Sequence, residues 1–465
     1  MVTTARAAES PAEVRERLRA LIRRLEARPA PRFAPPADHP HAEGPEGDER
    51  DWAARARPRA IEEVFPSAVR RETDAGACTV IEVTYGLDHL VGEQPLRDIA
   101  HVSPETYALL APHEGVEDVA LGELLFLDIE STGLGGAGAM AFLVATGRFE
   151  ERAGIDGGAG PAFVLRQYLA TSPPEEGAVL AALLEDADVR GGEPVLVTYN
   201  GRGFDAPMLD GRATMHRQRA GFDALRHVDL LAPMRTGLRG AMESCRLCVV
   251  ETDVLGLTRP PGEVSGADVP GWYFRFLRSR DARLLVPIVE HNALDVVSLA
   301  AILARFGALL AEQRAPAPLD SVALGRLHAA RGDHERAAAH LQRAVAVLPP
   351  CGARDDTLLR LATAHRRAGR RDLAVPLWQE AAARPGVPGL RVLVEVAKAL
   401  EHDRRDFPGA LAAVEEAVRR AEALARFDPR TSRRWIEGLA VRRARLERRA
   451  ARQAATPGRA VGAVG

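Results

Sequence analysis

Leu124-Leu125-Phe126-Leu127-Asp128-Ile129-Glu130-Ser131-Thr132-Gly133 joins four consecutive apolar residues to two carboxylates one residue apart. Glycines follow at Gly133, Gly135, Gly136 and Gly138, so the stretch reads as a buried strand, Glu123 to Asp128, ending in acid and then a tight turn. Side chains at i and i+2 of a strand share a face. Asp128 and Glu130 are therefore expected to point the same way and to present oxygens at the spacing that hard divalent cations accept. A solvated strand end is the plain alternative, and the rest of the chain has to decide between them.

Working outward, the order of elements is informative. Strands are expected at Met140 to Phe149 and Ala162 to Leu169, with short connections that suit antiparallel neighbours. Then come a helix at Glu175 to Glu185, a strand at Pro194 to Tyr199, a helix from about Ala206 and a short strand at Val228 to Leu231. Helices near Glu243, Pro270 and Arg283 to Leu310 complete the region. Three meandering strands followed by helix-strand units describe an α/β mixed sheet flanked by helices, in the order of a ribonuclease-H-like core. Upstream, Thr79 to Tyr85 alternates as a strand within a short lead-in over residues 76–115. Residues 1–75 hold one plausible helix, Pro11 to Ala27, and a Pro/Ala/His/Glu-rich run that suits a disordered arm.

Beyond Pro316 and Pro318 the pattern is helical and repetitive. Ala337-x3-Leu341-x2-Ala344 recurs as Ala374-x3-Trp378-x2-Ala381 and as Ala410-x3-Val414-x2-Ala417. A period in the middle thirties with small residues at fixed positions is that of helical-hairpin solenoids, expected over residues 319–450. Gly332 and Gly369 occupy the turn in two units, while the third carries Pro408 and suits a degenerate cap; residues 451–465 read as a disordered tail.

Two further acidic sites stand beside the first. In Thr198-Tyr199-Asn200-Gly201-Arg202-Gly203-Phe204-Asp205-Ala206-Pro207 a strand empties into a glycine loop and Asp205 opens a helix, where it could also be a simple N-cap. In Glu290-His291-Asn292-Ala293-Leu294-Asp295-Val296-Val297-Ser298-Leu299, His291 and Asp295 share one face of a mostly buried helix. Convergence of Asp128, Glu130, Asp205 and Asp295 on one pocket would need cations to offset their repulsion, and two Mg²⁺ or Mn²⁺ ions roughly 4 Å apart would suit.

The wordings D-x-E-S-T-G-L, Y-N-G-x-x-F-D-x-P and H-N-x-x-D-V-x-S-L resemble the three motifs of the DEDD (DnaQ-like) superfamily of 3′–5′ exonucleases. More closely, the chain resembles the YprB-type family of predicted bacterial exonucleases, a ribonuclease-H-like domain followed by tetratricopeptide-like repeats. The match covers about Gly122 to Ala311, inside a domain taken as 116–314. The resemblance implies metal-dependent hydrolysis of phosphodiester bonds at a nucleic-acid end, with Asp128, Glu130, Asp205 and Asp295 as ligands and His291 as general base. It makes their motif neighbours Thr132, Gly133, Asn200 and Phe204 the expected substrate contacts. The histidine stands four residues before Asp295, the spacing of the tyrosine subclass.

Other features weigh less. Asp229 ends a strand and suits a supporting role; the lone Cys245-x2-Cys248 pair is a poor zinc site; Trp272, Tyr273 and Phe274 suit a core better than a stacking platform. The 62 basic and 64 acidic residues leave a formal charge of −2, which by itself names no partner. Lys398 is the single lysine, so arginine abundance reflects coding bias. Val116 to Arg314 has 19 arginines and 27 acids, net −8, whereas Arg404 to Arg452 has 14 and 7, net +7, and could contact nucleic acid or an acidic partner. Four cysteines, no apolar run of about 18 residues and no signal-like start suit the cytoplasm. The reading is an exonuclease on single-stranded or fraying nucleic acid whose repeats recruit a protein partner; the rival is an adaptor that binds nucleic acid without cutting.

Overall fold

The computed structural model describes residues 57–116, 118–133, 138–153, 159–187, 193–260, 263–349, 352–382 and 387–455. The expected helix at Pro11 to Ala27, the turn glycines Gly135 and Gly136, and the last ten residues of the tail lie outside the described residues. A short helix α1 (Ile61–Val64) leads to β1 (Ala68–Thr73) and β2 (Gly76–Gly86), then the small hairpin β3 (Leu90–Val91) and β4 (Gln94–Pro95), and α2 (Pro104–Leu110). β5 (Leu124–Ser131), β6 (Ala141–Ala153) and β7 (Ala159–Leu169) form the meander; α3 (Glu176–Asp186), β8 (Val195–Thr198), α4 (Asp205–Met215) and β9 (His227–Asp229) follow. The seven-stranded sheet runs β1-β2-β7-β6-β5-β8-β9, antiparallel as far as β5 and parallel from β5 to β9.

This order corrects two expectations. The strand at Thr79 to Tyr85 is no lead-in: it is β2, paired along β7 from Thr79↔Leu169 to Gly86↔Ala162, and β1 extends the sheet into the supposed arm. Its pairing partner lies some eighty residues away, and local alternation cannot reveal that. The helix expected near Glu243 is an irregular stretch leading from α5 (Leu231–Leu238) to the short α6 (Leu247–Val250) and a π-helical turn at Glu251–Leu255.

α7 (Val269–Ser279) precedes the long α8 (Val286–Leu310). With its leading turn from Ala282, α8 is long and apolar enough to cross a membrane (mean hydropathy 1.9), contrary to the expectation of no such run. Here it is the core helix, 78% buried over its most apolar window, laid across one face of the sheet. Leu124 and Phe126 pack with Val296, Leu299 and Ala300 of α8. Because alternate strand residues share a face, Asp128 and Glu130 continue the line of Leu124 and Phe126 under the same helix.

The C-terminal region is all helix: α9 (Pro318–Ala330), α10 (His334–Val347), α11 (Gly352–Arg367), α12 (Arg371–Ala382), α13 (Val387–Ala399), α14 (Phe407–Leu424) and α15 (Pro429–Ala455). Each helix packs on the next, and all nine repeat positions, Ala337, Leu341, Ala344, Ala374, Trp378, Ala381, Ala410, Val414 and Ala417, are buried. Gly332 and Gly369 have φ of 82° and 80°, the left-handed turn that favours glycine; Arg405 takes it in the third unit at 52°. That unit is not the end of the array, since α15 packs along α14 and continues into the supposed tail.

The expected boundary near Arg314 is not a seam. Arg305 on α8 and Asp320 on α9 form a bidentate ion pair, Nε to Oδ1 2.8 Å and Nη2 to Oδ2 2.6 Å, with side chains 5% and 2% exposed. Ala323, Leu324 and Leu327 join the same core as Met234 and Leu238 of α5. Arg326 donates to the carbonyls of Gly237 and Arg239 and pairs with Asp356. Thus α9 closes the sheet region's core as well as opening the helical array.

Candidate active site

The acids arrive from three elements. Asp128 and Glu130 both lie within β5, which runs through Ser131 rather than stopping at Asp128, opposite Ala145 and Leu143 of β6. β8 lies parallel to β5, with Val197 opposite Phe126, so both strands end on the same side of the sheet, where open α/β sheets place ligands. From Thr198 the chain turns through Asn200, whose φ is 73°, and Asp205 opens α4. Gly201 is required in that turn, because a Cβ there would lie 2.4 Å from Thr198 Oγ1. Asp229 at the end of β9 holds the turn, accepting from the backbone N–H of Asn200 (2.8 Å), Arg202 (3.2 Å) and Leu231 (3.0 Å).

Behind α4 stands a buried anchor. Glu176 of α3, 2% exposed, accepts from the Ala141 backbone at 2.9 Å and from Arg212 Nε at 2.7 Å, and lies 2.8 Å from His216 Nε2. It ties β6, α3 and α4 together, which fixes the helix that carries Asp205.

The acids feel one another's charge. Burial, then the charges of Asp295, Asp205 and Glu130, push the Asp128 carboxyl well above the usual carboxylate range, eased by a hydrogen bond from Asn292. Glu130 is pushed up to about 8 by burial, with Asp295 adding to it and His291 and Arg259 relieving it. Asp205 is also pushed up to about 8, by burial, then Asp229 and Glu130. Each shift has one physical source: a carboxylate out of water beside other carboxylates prefers to hold its proton. Among the described residues Asp128 and Asp205 have no basic partner, and Glu130 has only His291, Nε2 to Oε1 3.7 Å.

His291 sits one helical turn from Asp295, with Nε2 3.7 Å from Asp295 Oδ2 and from Glu130 Oε1. Its Nδ1 lies 2.9 Å from Glu263 Oε1 and 3.0 Å from Arg259 Nη1. Although burial alone would lower its pKa, Glu263, Asp295 and Glu130 raise it.

Sequence reading missed four residues here. Asn292, fully buried, donates to Asp128 Oδ2 at 2.8 Å and accepts from Gln167 at 3.0 Å. Arg259 bridges the buried Glu251 (Nη2 to Oε1 2.8 Å), Glu263 and Asp295 Oδ1. Asn292 stood inside a quoted motif, so its buried helix face was a usable signal. Arg259, Glu251 and Glu263 come from an irregular segment, and no spacing rule could join them to Asp295.

Thr132 bridges the ends of the glycine turn, its N–H donating to the Met140 carbonyl at 2.9 Å and its Oγ1 accepting from Met140 N at 3.0 Å. Gly133 accepts from Ser131 Oγ at 2.7 Å, and a Cβ there would make only an ordinary contact, 3.8 Å from Ala139 Cβ. Asn200 has an exposed side chain and Phe204 is half-buried at the mouth of α4. Tyr273 is core, stacked on Phe142 with centroids 3.9 Å apart, whereas Phe274 is 43% exposed. Cys245 and Cys248 are free thiols.

The donor set fits hard divalent cations in its chemistry: four carboxylates, no thiolate, and excess negative charge that one guanidinium cannot offset. Among the described residues no three His, Cys, Asp or Glu side chains are already arranged around an ion position. Asp295 Oδ1 is engaged by Arg259 and Asp128 Oδ2 by Asn292.

The profile of the RNase_H superfamily matches residues 125–306, from β5 to α8. Over 379 residues the chain is 28% identical to the uncharacterized protein YprB of Bacillus subtilis (strain 168), across 80% of this chain and 86% of that one. The fold is ribonuclease-H-like, with an all-helical region after it. That superfamily likeness ties the chain to nuclease chemistry on nucleic acid.

Proposed function

We propose that this chain is a divalent-metal-dependent exonuclease of the DEDD type, hydrolysing phosphodiester bonds of single-stranded or fraying nucleic acid from the 3′ end. The observation that supports it most is that Asp128, Glu130 and Asp205, beside the His291–Asp295 pair, all have raised pKa through burial and one another's charge, with no basic residue bound to Asp128 or Asp205 among the described residues. Asp128, Glu130, Asp205 and Asp295 would hold two divalent ions, Mg²⁺ or Mn²⁺, which would supply Lewis acidity for activating water and steadying the leaving oxygen. The chain's own residues do the positioning. Asn292 sets the rotamer of Asp128, and Arg259 holds one oxygen of Asp295 and leaves the other toward His291. Glu263 fixes the His291 ring so that Nε2 faces the acids, where a neutral imidazole accepts a proton from the attacking water. Tetratricopeptide-like repeats over α9 to α15 recruit a protein partner in this reading, and a reducing cytoplasm suits the free thiols Cys78, Cys245 and Cys248.

Arg259 on Asp295 favours a second reading, an adaptor that binds nucleic acid and cuts weakly, because a guanidinium already serves one of the four acids. Incubating the purified protein with end-labelled DNA and RNA oligonucleotides in Mn²⁺, Mg²⁺ or EDTA separates the two. Stepwise shortening from the 3′ end that EDTA abolishes supports the nuclease. Binding with no shortening in any metal supports the adaptor.

A further inference from the structure

The last helix, α15, carries nine arginines and two glutamates, and the structure sorts them by duty. Arg442, Arg445 and Arg449 converge on Glu401, whose side chain is fully buried, at 2.7, 2.8 and 3.2 Å. Arg443 pairs with Glu447 at 3.1 Å. These are internal clamps, and they account for much of the basic excess counted in the sequence. Arg430, Arg433, Arg434 and Arg448 are different: all four are exposed, and among the described residues none pairs with an acid.

Their positions follow the helix. Steps of 4 and 18 residues from Arg430 bring Arg434 and Arg448 back to nearly the same side of a 3.6-residue turn, with Arg433 flanking them. The opposite side, Ser432, Leu439 and Leu446, is buried against the array. Arg430 to Arg448 spans about 27 Å at 1.5 Å per residue, the reach of several nucleotides. Glu437 is the acid on that side, and Val441, 75% exposed, lies between the basic groups. At the amino end Phe427 is 87% exposed, an unpacked ring of the kind on which bases stack.

We propose that the outward face of α15 is a binding surface for single-stranded nucleic acid, holding a strand that the acidic sheet region repels. This rests on the nuclease reading above. Charge complementarity selects the occupant: the sheet region has net −8 and the segment Arg404 to Arg452 net +7, so a polyanion bound for the acidic site needs its affinity from elsewhere.

The test uses the full-length protein in EDTA and a fluorescent homothymidine strand of about 30 nucleotides, with binding followed by anisotropy across a salt series. Arg430→Glu/Arg434→Glu/Arg448→Glu should weaken binding at least tenfold and reduce the slope of log K against log salt by about 2, since each lost phosphate contact removes about 0.7. The corresponding triple Lys variant should keep both, and circular dichroism should show all three proteins equally helical. Unchanged affinity and slope in the Glu variant overturn the proposal, and leave an acidic protein as the better occupant of this face. Cleavage by the wild type, assayed alongside in Mn²⁺, tests the nuclease reading separately: a strand bound through α15 and never cut upholds the surface and sinks the nuclease.

Discussion

Asn292 donates a hydrogen bond to Asp128 Oδ2 at 2.8 Å while its own carbonyl oxygen accepts from Gln167 at 3.0 Å, so β7, α8 and β5 meet in one buried chain of amides and acid. Both Asn292 and Gln167 are fully buried. The pair explains why the motif around His291 carries an amide at this position: an amide can donate to the acid and accept from Gln167 at once.

Asn292→Leu removes both bonds and leaves Gln167 and Asp128 short of partners. The expected cost is about 1–3 kcal/mol in urea unfolding, with cleavage lowered because the Asp128 rotamer is no longer fixed. Asn292→Asp should be worse in metal-free buffer, since it adds a carboxyl to a buried cluster whose charges already repel one another. Equal stability of Asn292→Leu and wild type would show that this bond does not form in solution.

Arg259 is the charge on which the buried Glu251 depends, and it also holds Asp295. Arg259→Ala should destabilise the protein by about 3–5 kcal/mol, the usual result of stranding one partner of a buried pair. Replacing Glu251 as well, in Arg259→Ala/Glu251→Leu, should restore much of that stability without restoring cleavage, because Asp295 is still unsupported. Recovery of both together would reduce Arg259 to a counterion for Glu251. Recovery of neither would place its main effect in packing.

A chain ending at Arg314 loses Asp320 and leaves Arg305 buried without its partner, while uncovering the core where α9 packed. It should unfold non-cooperatively or aggregate, whereas a chain ending just after Val347 keeps α9 and α10 and should melt as one unit. Thermal melts by circular dichroism decide this. A stable, cooperative protein ending at Arg314 would restore the boundary that the prolines suggested.

That boundary shows how far sequence could be read. The candidate acids were legible because their signals are one-dimensional: a carboxylate pair at i and i+2 behind an apolar run, and His291 and Asp295 one helical turn apart. Pro318 misled because a proline at a junction and a proline in the first turn of a helix look alike in sequence; here it opens α9. β2 misled in another way, since alternation announces a strand and says nothing of its partner, and β1 went unread inside the supposed arm. Arg259, Glu251 and Glu263 were illegible because the contact of Arg259 with Asp295 exists only after a 36-residue excursion folds back.

The acid cluster itself gives the last prediction, a stability that depends on pH and metal. Glu130 and Asp205 are pushed to about 8 in the folded protein, and Asp128 is raised too, while unfolded carboxyls titrate near 4. Between those values the folded protein holds protons that the unfolded chain has released, so the metal-free protein should lose stability as pH rises from about 5 to 8 and level off above. His291, also raised, acts in the same direction. A divalent ion takes the place of those protons, so Mn²⁺ should raise Tm by more at pH 8 than at pH 5.5; each 1 kcal/mol corresponds to roughly 1 °C in a chain this large, because the unfolding entropy grows with length. Asp205→Asn removes one of the repelling groups and a donor together. It should melt above wild type in EDTA at pH 8 and respond less to Mn²⁺. A wild-type Tm in EDTA that is flat from pH 5.5 to 8, or a Mn²⁺ response that Asp205→Asn leaves intact, would show that these carboxyls do not share one metal-binding pocket.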